Sequence, residues 1–301
     1  MPQSKLQGRE VFLWQPWLLL TPALITLMAL ILIPLLQTIR LAFTADAHGL
    51  VPPHAGLTFE NFHLLATDTA WWHAAVTTIL FALSAVVVET TLGVALALLL
   101  QKMDIRLRGF LLAIMLLPWA VPAVVAARLW GWMLNPHYGI INAALMTVGF
   151  IHQGSEWTTS PMGMLAIMVL VDIWQATPFM TLLALAGLQS LPTDTLEAAR
   201  MDGATPWQTF RAITLPLLWR PLMAAALFRL LDALRMFDLS SVLYGADIHG
   251  MTLSVFVQTQ IVQFGAQGYG AASALSTLAI IAMTAVLFWA CVSRLAPKHM
   301  P

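Results

Sequence analysis

Apolar residues in this chain gather into six long runs, at about 14–40, 74–100, 109–134, 162–188, 217–244 and 268–293, with the polar residues collected between them. A bilayer core about 30 Å thick takes about 20 mostly apolar residues to cross as a helix, so each run is long enough to be a span. The first run follows Lys5 and Arg9 and precedes Ala45-Asp46-Ala47, which resembles a small-residue cleavage site. Signal cores are only about 7–15 residues long, so this run reads as an uncleaved first span. The pattern predicts an all-α integral membrane protein. It has short segments at 1–13 and 294–301 and a six-helix transmembrane domain at 14–293.

Orientation follows from the cations. With the N-terminus inside, the inner segments hold Lys5, Arg9, Lys102, Arg106, Arg108, Arg200, Arg211, Arg220, Arg294 and Lys298. The outer loops carry Asp46, Glu60, Asp68, Glu156 and Asp247, with Arg40 at a helix end the nearest exception. The positive-inside rule places both termini in the cytoplasm. Trp71, Trp72, Trp157, Trp14 and Trp17 lie near span ends and read as interfacial anchors.

One inner segment, 191–221, has more internal order than a connector needs. Pro192 ends the preceding helix, and Asp194 with Glu197 three residues later reads as an N-cap with its reciprocal partner. Gly203 can stop that short helix in the left-handed conformation. Thr205, Pro206 and Gln208 then begin a second helix as N-cap, first position and capping-box partner. Leu215-Pro216 is expected to end it, because the residue before proline is pushed out of the helical region. Spacing alone leaves two readings open, a docking element and an amphipathic connector resting on the headgroups.

Composition narrows the class. Of 301 residues, 59% are apolar and 9% charged, against about 25% charged in soluble domains. Fourteen Lys plus Arg balance fourteen Asp plus Glu, so no basic surplus is available for nucleic acid, and Cys291 alone allows no internal disulfide. His48, His54, His63, His73, His137 and His152 fall in or near outer loops without metal-ligand spacing.

The literal residues of the inner segment decide between its two readings. Glu197-Ala198-Ala199, Asp202-Gly203-Ala204, Ile213, Leu215-Pro216-Leu217 and Pro221 resemble the EAA loop of ATP-binding-cassette (ABC) importer permeases. The likeness extends to Leu116-Leu117-Pro118-Trp119, Tyr138-Gly139-Ile140-Ile141-Asn142, Ile173-Trp174, Pro178-Phe179, Leu185-Ala186-Gly187-Leu188-Gln189, Phe237-Asp238 and Gly268-Tyr269-Gly270-Ala271-Ala272. This set is similar to the carbohydrate-uptake branch, of maltose, trehalose and glycerol-phosphate type. Tyr244-Gly245-Ala246-Asp247 departs from the glycine-rich turn of many relatives.

The resemblance implies a type I ABC importer (MetI-like) permease fold in a bacterial inner membrane, embedded in lipid. It also implies a second, non-identical permease, two ATP-binding subunits docked on the EAA loop, an extracytoplasmic solute-binding protein, and a mono- or oligosaccharide substrate. No Gly-Lys dipeptide is present, so the phosphate-binding loop is absent. ATP and Mg belong to the partner ATPase, no cofactor is expected on this chain, and the chain is not itself an enzyme. Coupling falls to Glu197, Ala198, Ala199, Asp202, Gly203, Ile213, Leu215 and Pro216.

Ionisable groups at bilayer depth are costly and need a partner, a wet cavity or a function. Here they are Glu89, Arg128, Asp172, Arg229, Asp232, Arg235 and Asp238. Arg229, Asp232, Arg235 and Asp238 are spaced three apart, so they can form a neutralised ladder. Asp172, Gln175 and Ala176 share a helical face and can line a hydrophilic path, with Trp174 or Phe228 as a surface for a pyranose. In the family resembled, the lining positions correspond to Asp172, Gln175, Ala176, Arg229, Asp232 and Ala233. Glu89 and Arg128 are assigned to structure. An ion-coupled secondary transporter of small polar solutes would also hold intramembrane carboxylates, but it does not explain the doubly capped loop. A membrane enzyme would need a nucleophile-base set or metal cluster that is not apparent.

Overall fold

The structure, a computed structural model, describes residues 15–44 and 56–294. Lys5, Arg9, Trp14, Ala45-Asp46-Ala47, His48, His54, Lys298, the side chain of Trp17 and the segments 1–13 and 295–301 lie outside the described residues. Among the described residues the chain is helical: α1 Gln15–Ala42, α2 Glu60–Thr67, α3 Thr69–Gln101, α4 Ile105–Met115, α5 Leu117–Ala120, α6 Ala123–Met133 and α7 Ile140–Thr147. There follow α8 Pro161–Gln189, α9 Thr193–Met201, α10 Pro206–Thr209, α11 Leu215–Ala233, α12 Asp238–Leu243, α13 Leu253–Gln258 and α14 Gln267–Arg294.

Five helical stretches are long and apolar enough to cross a membrane: Leu19–Ala42, Thr69–Gln101, Pro161–Gln189, Pro206–Leu243 and Gln267–Arg294. The expected third span is not one helix. Ile105–Ala120 meets Ala123–Met133 at 90°. Pro122 holds Val121 in an extended conformation (φ −73°, ψ 129°), which ends α5 one residue earlier. The expected fifth span is also interrupted, because α11 stops at Ala233 and helix resumes only at Asp238. No proline or glycine breaks it there. The Met236 carbonyl accepts from Thr252 Oγ1 at 2.8 Å, and Ser240 Oγ bridges the Gly250 carbonyl (2.7 Å) and the Thr252 amide (3.2 Å). The segment before α13 thus supplies the Met236 carbonyl with the partner that a continuous helix would have supplied and is itself held by Ser240.

Helix α3 packs along α8, with α11 closing the third side. Phe81, Ala82, Ala85 and Val86 meet Ile167, Met168 and Val171, and Ala226, Leu230 and Ala233 complete that core. Small residues permit the close approach that membrane helices depend on. A Cβ at Gly93 of α3 would lie 2.9 Å from the Met180 Cβ of α8. A second core joins Val94, Ala97 and Leu100 to Ala184, Leu185, Leu188 and Leu218.

Asp68 caps α3 by accepting from the Ala70 amide (2.8 Å) and ties it to α14 by accepting from the Tyr269 hydroxyl (2.6 Å). Trp71 is not an interfacial anchor. It is buried against Leu65, Met251 and Phe256, because α2 and α13 cover that end of α3. Trp72 is exposed and donates to the Ala66 carbonyl at 2.9 Å, while Trp157 is held by Asn142 Oδ1 at 3.2 Å. By contrast α1 has no buried residue within its apolar window and presents Leu19, Ile25, Leu30 and Ile31 outward.

Gly93→Val should force α3 and α8 apart and cost about 1–3 kcal/mol, the usual price of overpacking. Thermal unfolding of the detergent-purified protein would show this as a lowered midpoint, whereas an unchanged midpoint would mean that the helices repack without cost.

Candidate functional site

The costliest groups in the apolar domain occur together. Arg229 of α11 is 3% exposed, Asp172 of α8 is 4% exposed and Glu89 of α3 is fully buried. Arg229 Nε donates to Glu89 Oε2 at 2.8 Å and Nη2 to Glu89 Oε1 at 3.1 Å, a bidentate pair between spans 140 residues apart. The same Nη2 donates to Asp172 Oδ2 at 2.7 Å, and Nη1 to Asp232 Oδ2 at 2.6 Å. The planar guanidinium suits this fork geometry. A buried charge is tolerable only when its hydrogen-bonding capacity is filled, and here one cation is surrounded on three sides.

Asp232 differs from the other two acids, since its side chain is 59% exposed. It opens onto a cavity of about 600 Å³ that Asp172, Arg229, Gln175 and Ala176 also line, with Trp119, Phe179 and Phe228 as aromatic wall. Trp119 and Phe179 stack with centroids 5.1 Å apart and planes 7° from parallel, and the Phe228 centroid is 6.0 Å from that of Phe179. The cavity is within the size range of small-molecule sites. Gln175 Nε2 donates to the Val121 carbonyl at 2.6 Å, so this side chain also braces the break between α5 and α6.

Five of the six expected path positions therefore meet at one cavity. Ala233 does not; it is fully buried in the core, on the side of α11 that faces α3 and α8. Trp174 packs edge-on against Trp130 at 5.8 Å instead of lining the cavity, while Phe228 does line it. The charged ladder forms only at its first step. Arg235 Nε turns back to the Leu231 carbonyl at 3.2 Å, and because α11 ends at Ala233, the helical spacing that would pair Arg235 with Asp238 is lost. Glu89, assigned to structure from the sequence, is fully buried and ion-paired and belongs to the same cluster as Asp172 and Arg229. Spacing along one helix could not reveal a partner on another. Arg128 is exposed on α6.

The second feature is the segment between α8 and α11. Asp194 is not a cap: α9 begins at Thr193 after Pro192, with no side-chain cap, and Asp194 lies inside its first turn. Glu197 and Ala198 are exposed, and Ala199 is buried. Asp202 closes the helix and Gly203 follows at φ +77°. The Gly203 amide bonds to the Arg200 carbonyl (3.1 Å) and the Ala204 amide to the Ala199 carbonyl (3.0 Å), the Schellman arrangement.

Thr205 and Gln208 form the expected capping box, with the Thr205 amide donating to Gln208 Oε1 at 2.8 Å. Leu215-Pro216 does not end that helix. Residues Phe210–Thr214 form a π-turn in which the Leu215 amide reaches the Phe210 carbonyl, and α11 follows with Pro216 in its first turn. The wider turn accommodates a ring that would clash with the carbonyl four residues earlier. Ile213 and Leu215 are half-buried within this joint, while Met201 and Trp207 stand exposed on the segment.

A bundle of long apolar helices, a buried ion cluster beside a cavity, and a rigid two-helix element built into the base of α11 define a membrane permease subunit. Residues 89–295 match the family described as binding-protein-dependent transport system inner membrane component, and the chain belongs to that family. It is 35% identical over 286 residues to the trehalose/maltose transport system permease protein MalF of Thermococcus litoralis, covering 95% of each chain. It is 33% identical to the sulfoquinovosyl glycerol transport system permease protein SmoG of Agrobacterium fabrum, covering 89% of this chain and 87% of that one.

Its fold matches a chain of a bacterial ABC transporter involved in import of the acidic polysaccharide alginate, with a TM-score of 0.82 at 20% identity, covering 94% of this chain and 96% of that one. The protein is thus the membrane component of an ABC importer, not its ATPase, and the ion-coupled secondary transporter is set aside.

Arg229→Met should strand Glu89 and Asp172 without a partner and cost about 3–5 kcal/mol, whereas Asp232→Asn, at an exposed position, should cost under about 1 kcal/mol. Comparing the thermal midpoints of the two variants tests the order; equal losses would contradict it.

Proposed function

We propose that this chain is one of two non-identical permeases of an ATP-driven sugar importer and that the cavity beside Arg229 is its substrate path. The observation that carries this reading is the joining, in one helix, of the cavity wall to the capped segment at 197–216. Asp172, Gln175, Ala176, Arg229 and Asp232 supply the polar wall, and hydroxyl groups are recognised by such donors and acceptors. Trp119, Phe179 and Phe228 offer faces on which the apolar side of a pyranose can pack. The names of the relatives, trehalose/maltose and sulfoquinovosyl glycerol permeases, support a sugar or its glycoside. The fold also serves an importer of an acidic polysaccharide, so the fold alone leaves the charge of the substrate open.

Coupling runs through Glu197, Ala198, Ala199, Asp202, Gly203, Ile213, Leu215 and Pro216. Exposed Glu197, Met201 and Trp207 present a docking face for a separate ATP-binding subunit, which holds ATP and Mg. This chain then carries no cofactor. Closure of two such subunits moves the segment, and α11 moves with it because no flexible joint intervenes, giving alternating access by rigid-body displacement. The positive-inside rule supports a cytoplasmic position for the end that carries Lys102, Arg106, Arg108, Arg200, Arg211 and Arg220, with Asp68, Glu156 and Asp247 on the outer side, where a solute-binding protein delivers the sugar. The bare apolar face of α1 meets lipid or the second permease.

Gly203→Val places a β-branched residue at φ +77° and should disrupt the turn between α9 and α10. In proteoliposomes of the complete transporter, binding-protein-stimulated uptake should fall at least about tenfold while the membrane domain stays folded, with co-purification of the ATPase reduced. Uptake that proceeds without any ATPase subunit would end this reading.

A further inference from the structure

The cavity has a charge balance that separates one kind of sugar from another. Building on the assignment of this cavity as the sugar path, we propose that it admits neutral sugars and rejects anionic ones, with the free edge of Asp232 as the anchoring acceptor. Arg229 is the deep cation of the site, and an anionic sugar would look to it first. Its Nε, Nη1 and Nη2 are all engaged by carboxylates, and its side chain is 4% exposed. A guanidinium has five N–H donors and no acceptor, so little of this one remains to offer.

The surroundings add to the effect. Asp172, Asp232 and Asp238 line the cavity, Glu89 stands directly behind Arg229, and among the described residues that line it only Arg229 and Arg235 oppose them. That is four carboxylates against two guanidinium groups, and one proton taken up by the cluster would still leave the balance negative. Arg235 is the exposed cation of the wall. Its Nε is spent on the Leu231 carbonyl, and both Asp232 and Asp238 share the cavity with it, so an incoming anion meets their repulsion as well as its attraction.

A hydroxyl group meets the opposite situation. Asp232 Oδ2 accepts from Arg229 Nη1, which fixes the carboxylate, while the exposed remainder of the group can accept from substrate O–H in a charge-assisted hydrogen bond. The aromatic wall of Trp119, Phe179 and Phe228 carries no charge and accepts a pyranose of either kind, so discrimination falls to the acids.

Equilibrium binding of radiolabelled maltose and radiolabelled digalacturonate to the complete transporter in nanodiscs, without solute-binding protein, isolates the membrane cavity. Maltose should bind about tenfold tighter or more, the size that one or two uncompensated charges at close range produce. Asp232→Asn should narrow the ratio by weakening maltose binding and easing that of digalacturonate. Glu89→Gln, which releases part of the Arg229 fork, should narrow it through digalacturonate alone.

If Glu89→Gln fails to fold, the exposed Asp232→Asn still reads the effect. Equal affinity for the two sugars in the unaltered transporter would overturn charge selection and leave the sugar path standing. A preference that Asp232→Asn does not move would overturn the assignment to this chain. No measurable binding of either sugar would overturn the path assignment and this inference together.

Discussion

The guanidinium of Arg229 is the constraint on which the domain turns. A charge this deep must be paired, and its partners come from two other long helices: Glu89 from α3 and Asp172 from α8. Satisfying the fork geometry sets the rotation and axial register of three helices at once. Close packing by Ala82, Ala85, Ala226 and Ala233 around the same level makes those distances possible. The fourth contact, to Asp232, carries the cluster out to the cavity surface, so one ion both holds the helices and shapes the cavity beside them.

Irregular backbone surrounds that cavity, and it is satisfied from within the protein. The Val121 carbonyl at the break between α5 and α6 receives Gln175, and the Met236 carbonyl beyond α11 receives Thr252. Non-helical chain at membrane depth persists only where its polar groups find such partners or water. Both breaks leave side chains pointing into the cavity, Trp119 at one and Met236 with Phe237 at the other. The π-turn at Phe210–Thr214 has the opposite consequence at the far end of α11. It keeps α10, which ends at Thr209, continuous with the Arg229-bearing helix over about 30 Å, at about 1.5 Å per residue.

Where the chain's own neighbours decide the outcome, reading along it was enough. The Thr205–Gln208 capping box and the stop at Gly203 involve residues within five positions of one another, and both form. Asp194 shows the limit of that method, because Pro192 starts α9 one residue sooner than the expected cap allows. Pro216 shows it again: proline excludes one hydrogen bond, yet a widened turn absorbs the loss and the helix goes on.

The sequence by itself determined the number of apolar runs, the side carrying most of the cations, the capped segment with its EAA residues, and the face shared by Asp172, Gln175 and Ala176. These depend on composition and on helical periodicity, both of which are local. Only the tertiary structure decided that Glu89 and Asp172 are partners of Arg229, that Ala233 lies in the core, that Trp71 is buried, and that α11 ends at Ala233 without a breaker. Periodicity says which residues share a face but not which helix that face will meet, and the cost of a buried charge is settled only when the opposing helix arrives.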